Sequence, residues 1–389
     1  QPGAIEMPID LQYGRTDVPV GEPLPVHPVA PQQEAITRAA ELIGNANKRI
    51  IIAGGGAVGG GASEAVQQLA ESLNAPVFSS INGRGVIPDD HPLSAGSFVN
   101  RPNMLAAIKD TDVIIAVGTR LRGPLAAWGR IPGKLVHIDV DPQVHGLVLA
   151  PAVSIIGDAA ESVSQLNEQM NAAPGDEAFL SATQSAWQDI QASTRETIGA
   201  DMSEIMDTMR GLMDRDSSFV RDMTMPAYAW GNQMFPIYSP RSTMNPNSGA
   251  IGPGLPMANG AALASGKKTV AIHGDGGVMV HIGELSTTAQ YQLPVVLVVF
   301  TDGGYGVLRG IQSQRFEGRN IGTDLATPNF AMLAKSMGIE GEQVKGLAAF
   351  KEAFKRAMDH DGPYVLDVDL NELAQMTGFG KRIEFEQPQ

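Results

Sequence analysis

Hydrophobic positions recur along the chain in two patterns, and each pattern names an element. Short, nearly unbroken apolar runs lie at 49–52, 76–78, 113–117, 135–138 and 153–156, and again at 269–272, 295–300 and 364–368. Runs of this length with few polar interruptions predict strands buried on both faces, as in a parallel sheet. Between them, apolar residues return every three to four positions at 34–43, 62–73, 283–291, 329–337 and 347–358. That period predicts amphipathic helices packed on the sheets. The alternation predicts an α/β chain with two doubly wound parallel-sheet domains.

Three stretches depart from this alternation. Residues 3–10 alternate apolar and polar like a strand, but nothing nearby offers it a partner. Residues 19–31 hold Pro19, Pro23, Pro25, Pro28 and Pro31, which predicts an extended linker. Residues 171–205 are rich in Ser, Thr and Gln and predict a weakly helical connector after a break at Ala172-Ala173-Pro174-Gly175-Asp176. The expected division is 1–32 strand and linker, 33–170 first domain, 171–205 connector, 206–378 second domain and 379–389 tail.

Charge and composition narrow the function classes. The 389 residues carry 28 Lys and Arg against 42 Asp and Glu, a net charge of −14, with no basic run. Nucleic acid and anionic membranes are poor partners for such a chain. Cysteine is absent, which excludes disulfides, thiolate metal sites and Cys nucleophiles and fits a reducing cytoplasm, the expected compartment. No apolar run approaches the length of a membrane span. The 44 glycines are more than an average globular chain holds, and they cluster after strands.

The informative cluster is His273-Gly274-Asp275-Gly276-Gly277, where an apolar strand ends and a helix follows. Glycines there let backbone N–H groups approach an anion, and a helix start favours negative charge. An Asp inside a phosphate cradle repels the phosphate unless a cation lies between them, so the loop predicts a divalent metal. The next strand ends alike, in Thr301-Asp302-Gly303-Gly304-Tyr305-Gly306, with 302 − 275 giving a spacing of 27. One βα unit between them places both loops at the carboxyl edge of one sheet, where such folds bind ligands. Either loop alone reads as an Asp/Gly turn; together they read as a metal–diphosphate site.

These two loops resemble the thiamine diphosphate fingerprint, and more closely the acetolactate synthase, benzoylformate decarboxylase and pyruvate oxidase group. Residues 47–96, with Ile51-Ile52-Ala53-Gly54-Gly55-Gly56, and Val136-His137-Ile138-Asp139-Val140-Asp141-Pro142 resemble that group's central domain. Residues 245–265 and onward to about 373 resemble its diphosphate-binding domain. The resemblance implies thiamine diphosphate and Mg2+ as cofactors. It implies side-chain metal ligands at Asp275 and Asp302 and a carbonyl ligand at Gly304. Cofactor contacts are implied at Thr224, Gly249, Ala250, Gly274, Gly276, Gly277 and Tyr305, with Ile251 as the apolar wedge beneath the bent cofactor. Val307, Leu308 and Ile311 read equally as a substrate-pocket wall or as a core stripe.

The reaction implied is cleavage of the C–C bond beside a 2-oxo group, with decarboxylation of a small 2-oxo acid or ligation to an aldehyde acceptor. An acetolactate synthase-like carboligase with FAD is one alternative, and a non-catalytic cofactor-binding subunit another. Ile311 stands where acetohydroxyacid synthases resemble this segment but carry Trp, which argues against biosynthetic acetolactate chemistry. Gly54-Gly55-Gly56 could serve a dinucleotide, yet the spacing of a dinucleotide fingerprint is missing, so an empty site is expected ahead of FAD. His273 is expected to be packed, and His281 to be a structural or interface residue. Two departures from the family pattern stand out. Asp302 replaces the usual Asn and adds a negative charge beside the diphosphate, so cofactor affinity is expected to depend more steeply on Mg2+. The family also has an N-terminal pyrimidine-binding domain that supplies the activating Glu; residues 2–10 resemble only its last strand, and no activating Glu is assigned in this chain. A homodimer or homotetramer is expected, with a separate pyrimidine-binding chain left open.

Overall fold

Continuous Ile and Val runs form the strands of two separate parallel sheets. In the first sheet β1 (Arg49–Ala53), β2 (Val77–Ser79), β3 (Val113–Val117), β4 (Lys134–Asp139) and β5 (Val153–Ile156) take the order β2-β1-β3-β4-β5. The second contains β6 (Ser218–Arg221), β7 (Thr243–Met244), β8 (Thr269–Gly274), β9 (Val295–Thr301), β10 (Glu340–Lys345) and β11 (Tyr364–Asp369). Its order is β10-β11-β9-β8-β6-β7. All pairings between these strands are parallel, and helices cover both faces, as the unbroken apolar runs predicted. The structure is a computed structural model that describes residues 4–23, 25, 27–97, 101–123, 133–374 and 376. The expected tail at 379–389 lies outside the described residues.

Two segments differ from expectation. Residues 4–8 form no strand, and the chain instead makes one helical turn at Ile9–Gln12. Ile5, Ile9 and Tyr13 there are largely exposed, so the alternating pattern has no apolar surface to meet. The stretch read as a weakly helical connector is the longest helix, Glu177–Leu212, broken in dihedral angle only at Gly199 (φ 81°). Asp176 caps it by accepting the Phe179 N–H at 2.9 Å. It buries Phe179, Ala186, Ile190, Ile198, Met202, Ile205, Met206 and Met209, a stripe that the Ser, Thr and Gln content dilutes in sequence.

That helix joins the two domains through one shared core, which runs from Ile50 and Phe78 of the first domain to Phe300 and Leu366 of the second. Polar contacts fix the junction. Arg84 donates to the carbonyls of Gly231 and Asn232 at 3.4 and 3.2 Å and pairs with Asp89 at 2.8 Å. Asp89 in turn accepts the Ile237 N–H at 2.8 Å. Among the described residues no helix is long and apolar enough to cross a membrane.

Candidate functional site

The second sheet turns direction at β6, which has β7 on one side and β8 on the other. Ligands of such folds bind in the crevice outside the carboxyl ends of strands at this turning point. A cavity of about 270 Å3 lies there, close to the lower end, about 300 Å3, of ligand-site volumes. Loops after β6, β7, β8, β9 and β11 form its wall. Twelve expected residues line it: Thr224, Gly249, Ile251, Gly274, Asp275, Gly276, Gly277, Asp302, Gly304, Tyr305, Val307 and Leu308. Ala250 and Ile311 do not; Ala250 is exposed, and Ile311 lies farther along the helix Gly306–Arg315 with 41% of its surface exposed.

Register brings the two carboxylates together. Gly274 of β8 pairs with Phe300 of β9, so Asp275 and Asp302 leave neighbouring strands within one residue of the same level. Asp275 is buried; its Oδ1 accepts the Gly276 N–H at 2.8 Å, and its Oδ2 accepts those of Gly303 and Gly304 at 2.9 and 3.1 Å. One carboxylate thus folds the second loop onto the first. Burial raises the Asp275 carboxyl above the ordinary Asp range, and the backbone donors oppose that rise. Asp302 is pushed up to about 6, first by burial and then by the charge of Asp275, with Arg309 acting against both. The Arg309 guanidinium meets Asp302 Oδ2 at 3.1 Å.

The glycines leave room that no side chain could share. A Cβ on Gly276 would lie 2.6 and 2.8 Å from ring carbons of Tyr305 and 2.9 Å from Leu325. Gly276→Ala is therefore expected to lower stability by about 1–3 kcal/mol through overpacking, read as an earlier thermal transition. An unchanged transition would show that Tyr305 yields without cost.

Opposite the two aspartate loops stands the turn that carries Ile251. Asp222, the first residue after β6, is fully buried and accepts the N–H of Gly252 on both oxygens at 3.0 and 2.9 Å and that of Gly254 at 2.9 Å. Ile251 is thereby held on the cavity wall, across from Gly277. His273 is fully buried and, among the described residues, has no hydrogen-bond partner on either ring nitrogen, with Asp222 3.8 Å away; burial keeps it neutral. His281 is exposed, with Nδ1 at 2.6 Å from the place a Gly252 Cβ would take.

Sequence reasoning missed several wall residues: Met223, Met225, Tyr228, Phe300, Gly306 and Leu370. It also missed the supports Asp222 and Arg309. A signal existed for Asp222, an acid that follows the short apolar pair Phe219-Val220 with only Arg221 between.

Comparison with known proteins agrees with this geometry. Residues 36–166 match the thiamine pyrophosphate enzyme central domain, and residues 226–368 match the thiamine pyrophosphate enzyme C-terminal TPP binding domain. The chain is 29% identical over 365 residues to a probable acetolactate synthase large subunit of Methanococcus aeolicus, covering 86% of this chain and 60% of that one. It is 28% identical over 343 residues to a probable 2-ketoarginine decarboxylase of Pseudomonas aeruginosa, covering 87% and 61%. The chain thus spans 60–61% of the length of these two relatives. The X-ray structure of a Mycobacterium smegmatis protein assigned to the thiamin diphosphate-dependent enzymes shares the fold. Its TM-score is 0.69 at 24% identity, over 91% of this chain and 67% of that one. The two matched segments, the paired sheets and the placement of the glycine loops make one case: this chain belongs to the thiamine pyrophosphate enzymes, of which it carries the central and the C-terminal, cofactor-binding domains.

Proposed function

We propose that this chain anchors thiamine diphosphate through Mg2+ in an enzyme that cleaves or forms the C–C bond beside the 2-oxo group of a small acid. One observation carries the reading: Asp275 and Asp302 converge on the wall of a cavity whose described lining holds no Lys, Arg or His. A diphosphate entering such a wall needs a cation. The donors present fit a hard, oxygen-seeking ion, namely two carboxylates with the Gly304 carbonyl as the third protein ligand. Among the described residues no group of three or more His, Cys, Asp and Glu could hold a metal, so the third ligand comes from the backbone.

The chain's own residues divide the remaining work. Gly277, in the first helix turn after β8, presents its backbone N–H to the diphosphate, with the Thr224 hydroxyl beside it, while the Gly276 N–H is held by Asp275. Ile251 supports the cofactor from below. Val307 and Leu308 offer an apolar wall where a substrate carboxylate is less well solvated than in water, which favours its loss. When bound, thiamine diphosphate supplies the nucleophile and electron sink that this bond cleavage needs. The carboxylate that activates the cofactor is taken from outside these two domains.

A flavin has no part in this reading. Gly54 and Gly56 stand against Gly118 at the end of β3, with Gly56 N–H donating to the Gly118 carbonyl at 2.9 Å. A Cβ on Gly54 would lie 2.1 Å from that carbonyl oxygen. Close backbone packing accounts for these glycines without a dinucleotide.

Calorimetric titration of thiamine diphosphate into the chain tests the proposal. Binding is expected with MgCl2 and lost in EDTA, by at least about a hundredfold in affinity, the scale of a metal that carries most of an anion's contacts. Equal binding in EDTA would sink it. Carbon dioxide release from a panel of 2-oxo acids, measured with a pyrimidine-binding domain supplied to the chain, then identifies the substrate.

A further inference from the structure

We propose that Arg309 is a positioning residue that neutralises Asp302, so that the pair presents the charge of one neutral ligand to an incoming metal and diphosphate. The inference rests on the reading of the cavity given above.

Charge on the cavity wall is the starting point. Asp275 spreads its charge over three backbone N–H groups. Asp302 instead receives a full cation, Arg309, whose side chain is 9% exposed against 14% for Asp302. Asp324, the other acid on Arg309 at 3.1 Å, is 56% exposed, so water screens that contact. The dry pair is therefore Asp302–Arg309. Side chains of a helix lean toward its N-terminus, so Arg309, on the first turn of Gly306–Arg315, reaches back to the loop that precedes the helix. Two glycines clear its path. A Cβ on Gly306 would lie 2.3 Å from Asp302 Oδ2, and one on Gly304 would lie 2.6 Å from Arg309 Nη2.

The competing role is that of a clamp. Arg309 also donates to the Gly303 carbonyl at 3.2 Å, and the segment it reaches covers the metal loop, with Tyr305 N–H on the Thr323 carbonyl at 2.8 Å and Leu325 N–H on the Gly303 carbonyl at 3.0 Å. A clamp acts whatever residue stands at 302. A neutralising charge matters only while residue 302 is charged.

A double-mutant cycle in the full chain separates the two. Thiamine diphosphate affinity at saturating MgCl2 is measured by calorimetry, and thermal unfolding is measured without the cofactor. Arg309→Gln is expected to weaken binding by about tenfold when Asp302 is present and by less than about twofold in the Asp302→Asn background. Arg309→Lys keeps the charge and is expected to stay within about threefold of the parent. Equal losses from Arg309→Gln in both backgrounds, or equal falls in unfolding temperature with no coupling in affinity, would overturn the inference and leave a clamp. If the parent chain itself binds no thiamine diphosphate in MgCl2, the reading of the cavity fails and this inference with it.

Discussion

Asp275→Ala is expected to abolish Mg2+-dependent binding of thiamine diphosphate, with a loss of more than about a hundredfold in affinity, as for removal of a charged group from a buried site. The carboxylate does two things at once. It is a proposed metal ligand, and it holds the N–H groups of Gly276, Gly303 and Gly304. Alanine leaves those donors without their acceptor at about 1–3 kcal/mol each, less whatever water recovers. The loop after β9 then loses its tie to β8, and Asp302 and the Gly304 carbonyl drift with it. Asp275→Asn separates the two effects. The amide keeps one acceptor oxygen but turns an NH2 toward either Gly276 or the Gly303–Gly304 pair, donor against donor. It should therefore lose affinity nearly as far as Ala. Calorimetry in MgCl2 and thermal unfolding without the cofactor read the two losses separately. An Ala variant that still binds in an Mg2+-dependent way, within tenfold of the parent, would remove Asp275 from the site.

The parts of this site that sequence made legible share one property. β8 and β9 are unbroken apolar runs that give way abruptly to an Asp among glycines, so strand, turn and proposed ligand are all marked locally. β6 has only Phe219 and Val220 as apolar residues among its four, and β10 is an edge strand reading Glu-Gly-Glu-Gln-Val-Lys with only Gly341 and Val344 buried. Neither carries enough apolar pattern to announce a strand. The long helix was obscured in the same way, because its buried stripe is thinned by Ser, Thr and Gln. The expected N-terminal strand had the right alternation, yet residues 4–8 pair with no strand of either sheet among the described residues. Asp222 and Arg309 fail for another reason. Asp222 lies 30 residues from Gly252, to which it bonds, and their meeting depends on β6 standing beside β8. Arg309 becomes a neighbour of Asp302 only when its helix turns back on the loop.

Asp222→Ala tests whether that sheet order fixes the cofactor's seat. The carboxylate is fully buried and accepts Gly252, Gly254 and Met223 N–H groups, all at 2.9 to 3.0 Å. Gly252 has φ +100° and lies where a Cβ would strike Val280 and His281, so the turn that follows Ile251 is tightly specified. It holds its shape because a buried anion at the end of β6 collects its N–H groups, as a backbone nest collects an anion. Removing the anion leaves buried donors unmet, for a loss of about 3 kcal/mol in stability. Ile251 then loses its fixed height on the cavity wall, and thiamine diphosphate affinity in MgCl2 should fall by about tenfold or more, the usual result of loosening a supporting residue. Asp222→Asn keeps the volume and one acceptor oxygen, and should fall between the parent and Ala in both measurements. Ile251→Ala gives the reference, because it lowers affinity while leaving the turn's own bonds in place. If Asp222→Ala lowers the unfolding temperature but leaves affinity at the parent's value, the turn is held for the fold alone and Ile251 owes its position to the helix Gly254–Ser265 that follows it.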